Sequence, residues 1–236
     1  MVLLSVNADA KTVKGTDFGV LTGILYLAPS DESGVMNTCP NASPGCRQAC
    51  LFTAGRGAFN NVKQGRIKKT LWFYRDREDF LRQLIKDITA LIKKANKAGM
   101  LAAVRLNGIS DIAWESMKVD GKNLMEHFPS INFYDYTKSP SRIVRFVLGQ
   151  FPTNYHLTFS RSETPENQAD CKNLLATKVN LAVVFRGGLP STWQGRPVVD
   201  GDVSDIRFND PEGCIVGLKA KGKARKNDSG FVVQVA

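Results

Sequence analysis

The stretch Leu101-Ala-Ala-Val-Arg-Leu-Asn-Gly-Ile-Ser-Asp111 has the pattern from which the fold can be inferred. It begins as a short apolar run, typical of a buried strand, and becomes polar where that strand should end. Three more apolar runs follow at 131–136, 155–159 and 181–185. Helix-like sequence separates the runs, and short strands that alternate with helices indicate βα units and a parallel sheet with right-handed crossovers.

These βα units predict a single α/β domain over residues 1–236, with a complete or partial TIM-like barrel as the expected architecture. An open doubly wound sheet is the alternative, but no Gly-rich phosphate loop follows any strand. Phe18–Leu27 is the first predicted core strand, and a helical period from Asn60 stops at Ala98-Gly99. A small β-rich part is expected over about 197–236.

A long loop, about residues 28–57, follows the first predicted strand and contains three of the five cysteines. Cys39, Cys46 and Cys50 form the pattern C-x6-C-x3-C. Clustered thiolates in a reducing compartment select zinc or iron–sulfur. Zinc sites usually show closer cysteine pairs and four protein ligands, whereas three thiolates suit a cluster with one iron open or ligated from elsewhere. We therefore expect an iron–sulfur cluster, most simply [4Fe-4S], with zinc or unligated thiols as alternatives.

A fourth cysteine ligand would have to come from a distant part of the chain. Cys214, which starts a predicted strand after a glycine turn, is the preferred candidate, and a core position is its alternative. Cys171 lies on a predicted helix, where a small buried apolar residue is the expected role.

Polar side chains follow the predicted strands, at the edge where parallel α/β folds place their active sites. Arginine next to a core is costly without a partner, and arginine is the usual residue for holding anionic groups. We therefore expect an anionic, nucleotide-like ligand at this edge. The candidate ligand-binding residues are Arg105, Asn107, Lys138, Arg161 and Arg186. The candidates for orienting the ligand or moving protons are Asp111, Asp135 and Asp200.

The net charge of +10 also suggests an anionic partner, nucleic acid among them. The basic run from Lys219 to Lys226 is the better candidate for touching phosphate, because the basic residues between Lys63 and Lys97 lie on sequence typical of solvated helix faces. No apolar run has the length of a membrane span. The first residues lack the pattern of a signal peptide, which predicts an intracellular location.

Five segments resemble a bacteriophage protein family named after gene product eighty-eight of a mycobacteriophage. They are Arg105–Glu115, Tyr134–Lys138, Thr158–Glu163, Val183–Phe185 and Gly217–Gly222. The resemblance covers nearly the whole chain, and it implies a viral origin and a place in the host cytoplasm during infection.

The cysteine loop is also similar in its place to that of radical S-adenosylmethionine enzymes, partial TIM barrels whose three cysteines hold a [4Fe-4S] cluster. That resemblance implies S-adenosylmethionine as a second cofactor. The spacing here departs from the C-x3-C-x2-C of that superfamily, and no Gly-Gly-Glu-Pro segment follows. The likeness therefore favours a cluster in this position over S-adenosylmethionine chemistry.

The leading hypothesis is a viral iron–sulfur protein, an enzyme or redox protein that acts on an anionic ligand at the mouth of a barrel. One alternative is a zinc-stabilised nucleic-acid-binding protein, which would use the basic surface. Another is a purely structural cluster that pins the long loop.

Overall fold

The computed structural model of the chain describes residues 1–7 and 10–235. Within them, one mixed sheet of ten strands is flanked by seven α-helices. The strands are β1 Leu4–Val6, β2 Val20–Leu25, β3 Leu101–Arg105, β4 Asn132–Thr137, β5 Tyr155–Ser160, β6 Leu181–Arg186, β7 Thr192–Trp193, β8 Arg196–Asp200, β9 Ile215–Lys219 and β10 Val232–Gln234. The helices are α1 Ala10–Thr16, α2 Pro44–Gln48, α3 Asn60–Arg75, α4 Arg77–Lys97, α5 Leu124–His127, α6 Pro140–Val147 and α7 Pro165–Leu174.

The strand order is β1-β2-β3-β4-β5-β6-β9-β8-β7, with β10 paired to β6 off this path. Strands β2 to β6 are parallel and adjacent in chain order, as in a singly wound sheet and unlike the reversed order of a doubly wound one. The predicted α/β class is confirmed. No strand pairing in the described part of the chain closes the sheet, so the observed architecture is an open sheet.

The main core lies between the sheet and the helices that cover it. Helix α4 places Leu84, Ile88 and Leu91 at helical spacing on its buried face, and α4 packs against β2 and β3. Each fully buried side chain of this kind contributes about 1.5–3 kcal/mol. This face anchors the strands whose C-terminal ends support the cysteine loop. None of the described helices combines the length and the apolar character that a membrane crossing needs.

Two predicted helical regions have a different local structure. The helical sequence after Asn60 forms two helices, because the side chain of Asp76 accepts a hydrogen bond from the backbone N–H of Asp79 and starts α4 as a new helix. The helix-like sequence between the apolar run that starts at Leu101 and the run at 131–136 forms only the 3-10 turn Trp114–Ser116 and the four-residue helix α5.

Strand β10 lies beside the C-terminal half of β6. Strand β6 pairs with β5 through Leu181 and Ala182 and with β10 through residues 184–186. The two neighbours therefore share one edge of β6, and β10 fills the gap that β5 leaves. This position brings the segment before β10 over the cysteine loop.

Candidate metal centre

The three clustered cysteines lie together over the C-terminal ends of the central strands. The thiol of Cys39 donates to the carbonyl of Ile109, beyond the end of β3, at 3.4 Å. Cys46 lies on α2 and contacts the side chain of Lys138, which follows β4. Cys50 interacts electrostatically with both other cysteines. The structure therefore brings the C-x6-C-x3-C residues to one place.

Burial dominates the acid–base behaviour of this group. It raises the pKa of the Cys50 thiol to about 11 and also raises the pKa of Cys39, and the neighbouring Cys46 adds to both shifts. In residues 1–7 and 10–235, no three His, Cys, Asp or Glu side chains are arranged as a metal-binding group. The three thiols are therefore neighbours, but they are not arranged around one shared metal position.

Lys138 lies beside these thiols. Its Nζ donates to Ser160 Oγ at 3.0 Å and lies 5.6 Å from the ring centre of Phe231. Burial acts to lower the pKa of Lys138, but Cys46 and Asp111 outweigh burial and the pKa is raised. The lysine therefore remains a half-buried cation next to Cys46.

Arg66 of α3 is a second cation at the loop. Its Nε and Nη1 are buried, and neither has a hydrogen-bond partner among the described residues. The guanidinium lies 5.0 Å from the ring centre of Tyr26 and 5.8 Å from that of Phe52. Burial lowers the pKa of Arg66, while Tyr26 and Cys50 act against that shift. Buried guanidinium N–H groups without acceptors are energetically costly.

Helix α2, which carries Cys46, is held at its start by Glu163. The Glu163 carboxylate accepts from Ser43 Oγ and from the backbone N–H of Gly45, both at 2.7 Å. These hydrogen bonds outweigh the effect of burial and lower the pKa of Glu163. The loop after β5 thus fixes the position of Cys46.

Residues 222–234, which we call the covering segment, pack over the cysteine loop. Ala224 and Phe231 pack against Ala49. The side chain of Asn227 donates to Gln48 Oε1 at 2.8 Å. A cover of this kind limits the access of water to the thiols.

Two of the predicted anion-binding arginines bind the covering segment. Arg161 donates through Nη1 to the carbonyls of Gly230 and Phe231. Arg186 donates to the carbonyl of Arg225 and pairs with Asp228 at 2.7 Å. Both guanidinium groups are therefore engaged within the chain.

Three other predicted site residues are also engaged internally. Arg105 forms an ion pair with Asp205 at 2.8 Å. Burial acts to lower the pKa of Arg105, but the Asp205 carboxylate acts in the opposite direction and the pKa is raised. The Asn107 side chain accepts from Trp114 Nε1 at 3.1 Å. Asp135 is fully buried and accepts from the backbone N–H of Asn107 at 2.7 Å and from Tyr155 Oη at 2.8 Å.

Asp111 is part of a buried ionic network. It pairs with Arg142 at 2.8 Å, and it accepts from Thr137 Oγ1 and from the backbone N–H of Lys138. Arg142 also pairs with Glu115 at 2.9 Å. The sequence prediction did not include Arg142 or Glu115. The segment Ser139-Pro140 marks a helix start, but it does not indicate that Arg142 turns towards two carboxylates.

This network forms one wall of a cavity of about 320 Å³ beside the cysteine loop. The remaining lining comes from the loop, from Ile112 and Ala113, and from residues 139–145 at the start of α6, where Arg145 is a second cation. A volume of this size fits a small organic ligand.

The remaining predicted site residues lie apart from the thiol group. Asp200 pairs with Lys219 at 3.0 Å on the surface. Cys171 belongs to the main core, on α7. Cys214 is fully buried beside Ala182 and Val216, just before β9. In a parallel sheet, the N-terminal end of one strand and the C-terminal ends of its neighbours lie at opposite ends of the strands. For a strand of five residues these two ends are about 15 Å apart. Cys214 is therefore not brought to the other three cysteines.

A family model described as Gene product 88 matches residues 2–235. The comparisons with curated proteins and with solved structures gave no match. The likeness of the cysteine loop to radical S-adenosylmethionine enzymes has no support in these comparisons. Because the family model spans nearly the whole sequence, the chain belongs to the Gene product 88 family of phage gene products.

Proposed function

We propose that this protein binds an iron–sulfur cluster through Cys39, Cys46 and Cys50. The observation that carries the proposal is a pair of half-buried cations at the thiols. Arg66 has two buried nitrogen atoms without acceptors, and Lys138 contacts Cys46. Cations are poorly placed beside neutral thiols in a low-dielectric site, but they offset charge once the thiols are thiolates bound to iron.

The three cysteine thiolates are suitable ligands for an iron–sulfur cluster. Thiolates are soft ligands suited to iron–sulfur clusters and zinc, and three of them leave one position of a [4Fe-4S] cluster for another ligand. Cys214 does not supply that position in the proposal, since it lies at the other edge of the sheet. Such a cluster would supply electron transfer or an open iron for ligand binding. The chain itself contributes the two cations, and the covering segment excludes water.

The second part of the proposal is an enzymatic or redox role on a small anionic ligand. Its support is the cavity of about 320 Å³ next to the cysteine loop. Arg105, Arg161 and Arg186 are engaged within the chain, as described above. In the proposal Arg145, which lines this cavity, takes their place as the cation that meets the ligand.

The test is purification of the full chain without oxygen, followed by iron and sulfide analysis and by absorption and paramagnetic-resonance spectra. We expect about four irons and four sulfides per chain. Cys39→Ser, Cys46→Ser and Cys50→Ser should each lower the iron content, whereas Cys171→Ser should leave it unchanged. A colourless protein without sulfide, even after reconstitution, would contradict the proposal.

Two results of the same experiment separate the alternatives. Stoichiometric zinc without sulfide identifies a zinc site. A purely structural role is identified by two results together. The cluster shows no measurable redox couple, and the Cys46→Ser variant, which loses the cluster, unfolds.

A further inference from the structure

Two segments without acidic residues carry much of the positive charge of the chain. Residues 33–75 contain seven Lys or Arg and no Asp or Glu, and residues 213–227 contain five Lys or Arg and no Asp or Glu. The two segments pack together, because the 3-10 turn Leu51–Thr53 lies against the 3-10 turn Gly222–Lys226. The backbone approach is close: a Cβ on Gly222 would lie 2.9 Å from the Cβ of Ala54. The positive charge is therefore concentrated around the cysteine loop.

Nine of the twelve cations of these segments have no ion-pair partner within residues 1–7 and 10–235, and we call five of them the basic rim. They are Arg56, Lys63, Lys223, Arg225 and Lys226. All are exposed except Lys63, which is half-buried with its Nζ 5.3 Å from the ring centre of Phe52. Some exposed cations elsewhere are paired, as Arg82 is with Glu78 and Asp120. The rim thus has an uncompensated charge.

Apolar side chains are exposed at the same place. Phe59 is 59% exposed and Leu51 is 53% exposed. Phe59 precedes α3, whose start has no side-chain cap and no acidic residue in its first turn. The positive end of the helix dipole therefore adds to the charge of the rim. Proteins bind single-stranded nucleic acid with exposed aromatic rings among unpaired cations. The bases stack on the rings and the phosphates contact the cations.

We propose that the basic rim binds single-stranded nucleic acid, with Phe59 as a stacking platform. Binding depends on salt and is tolerant of sequence, because phosphates and ring faces are common to all nucleotides. A membrane surface is a poorer fit, since a peripheral helix needs a broad apolar face beside its cations, and Leu51 and Phe59 provide only two side chains. This inference goes beyond the cluster proposal and does not depend on it.

The experiment is fluorescence anisotropy of a labelled mixed-sequence 20-nucleotide DNA strand with the full chain, over a range of KCl concentrations. The triple variant K223Q/R225Q/K226Q should bind at least tenfold more weakly, and its log–log salt slope should fall by about 2, since each phosphate contact contributes about 0.7. The control K93Q/K94Q/K97Q removes the same charge from exposed positions on α4 and should change affinity by less than twofold.

A second pair of variants tests the ring. Phe59→Ala should weaken binding at least fivefold, whereas Tyr74→Ala, which removes a 55% exposed ring at the other end of α3, should leave binding unchanged. Equal losses in the rim and control triples, or no binding by the wild type, would overturn the proposal. Capture of phosphatidylserine vesicles without binding of the oligonucleotide would also overturn it. Iron content measured on the same samples separates this result from the test of the cluster.

Discussion

Glu163 binds the backbone N–H of Gly45 at 2.7 Å, across 118 positions of the chain. Its other carboxylate oxygen accepts from Ser43 Oγ. The first turn of the five-residue helix α2 is therefore held by the loop after β5, which also leads into α7. A helix this short is not stable alone, so the position of Cys46 depends on a distant carboxylate.

Glu163→Gln should lower the free energy of unfolding by about 1–3 kcal/mol, because hydrogen bonds to a charged acceptor are stronger than those to a neutral amide. Urea unfolding followed by circular dichroism measures the change. Glu166→Gln, at an exposed position three residues further on, is the matched control and should change stability by less than about 0.5 kcal/mol. Equal losses in the two variants would show that Glu163 does not hold α2.

Gly45→Ala should destabilise the protein by about 1–3 kcal/mol through overpacking. A Cβ at this position would overlap Ser229 Oγ and lie 2.8 Å from the Cβ of Phe231. The covering segment would have to move, which thermal unfolding and the protease sensitivity of that segment should both report.

The control for this change is Gly65→Ala, in the interior of α3, where an added Cβ meets no atom within 4 Å. Alanine favours a helix over glycine, so this variant should gain up to about 1 kcal/mol. A loss in Gly65→Ala as large as that in Gly45→Ala would mean that the close approach of Phe231 is not the cause.

Arg142→Met should cost about 3–5 kcal/mol, because it leaves Asp111 and Glu115 as buried carboxylates without their cation. The midpoint of urea unfolding measures this loss. Arg145→Met, one turn later on α6, removes an exposed guanidinium that lies over Phe151, and it should cost less than about 1 kcal/mol. A small loss in Arg142→Met would show that the network contributes little.

Asp135 should make the protein less stable as the pH rises from about 4 to about 7. Burial raises its pKa to about 7, against hydrogen bonds from Asn107 and Tyr155 that lower it, whereas an unfolded aspartate titrates near 3.9. Between these values the folded chain retains a proton that the unfolded chain has lost, so each pH unit costs up to about 1.4 kcal/mol.

Urea unfolding at pH 4.5, 6 and 8 tests this prediction. Asp135→Asn should show a smaller decline with pH than the wild type, and the exposed Asp17→Asn should follow the wild type. Parallel curves for all three proteins would contradict a raised pKa at Asp135.

The strands of the sheet could be predicted from the sequence because burial on both faces gives short continuous apolar runs. The runs at 131–136, 155–159 and 181–185 each lie within one residue of a strand. The cysteine group was also predictable, since its three members lie within one loop. Helix α5 was missed although Asn123 and Glu126 form a capping box, a signal that the sequence does contain.

The roles of the arginines could not be predicted in the same way. Arg161 and Arg186 follow strands at the expected edge, but their partners lie in the covering segment, 39 to 70 positions later. Pairing of β10 with β6 depends on long-range contacts that no local pattern encodes. Arg66 carries no sequence signal at all, because its lack of acceptors follows from how α3 packs against Tyr26 and Phe52.

The covering segment sets an order of events in synthesis. Its first residue, Gly222, leaves the ribosome roughly 170 residues after Cys50, which takes about 10–30 s at ordinary elongation rates. During that interval the cysteines are already translated and the covering segment is not. In the cluster proposal, iron meets the thiols in the nascent chain before the covering segment packs over the cysteine loop.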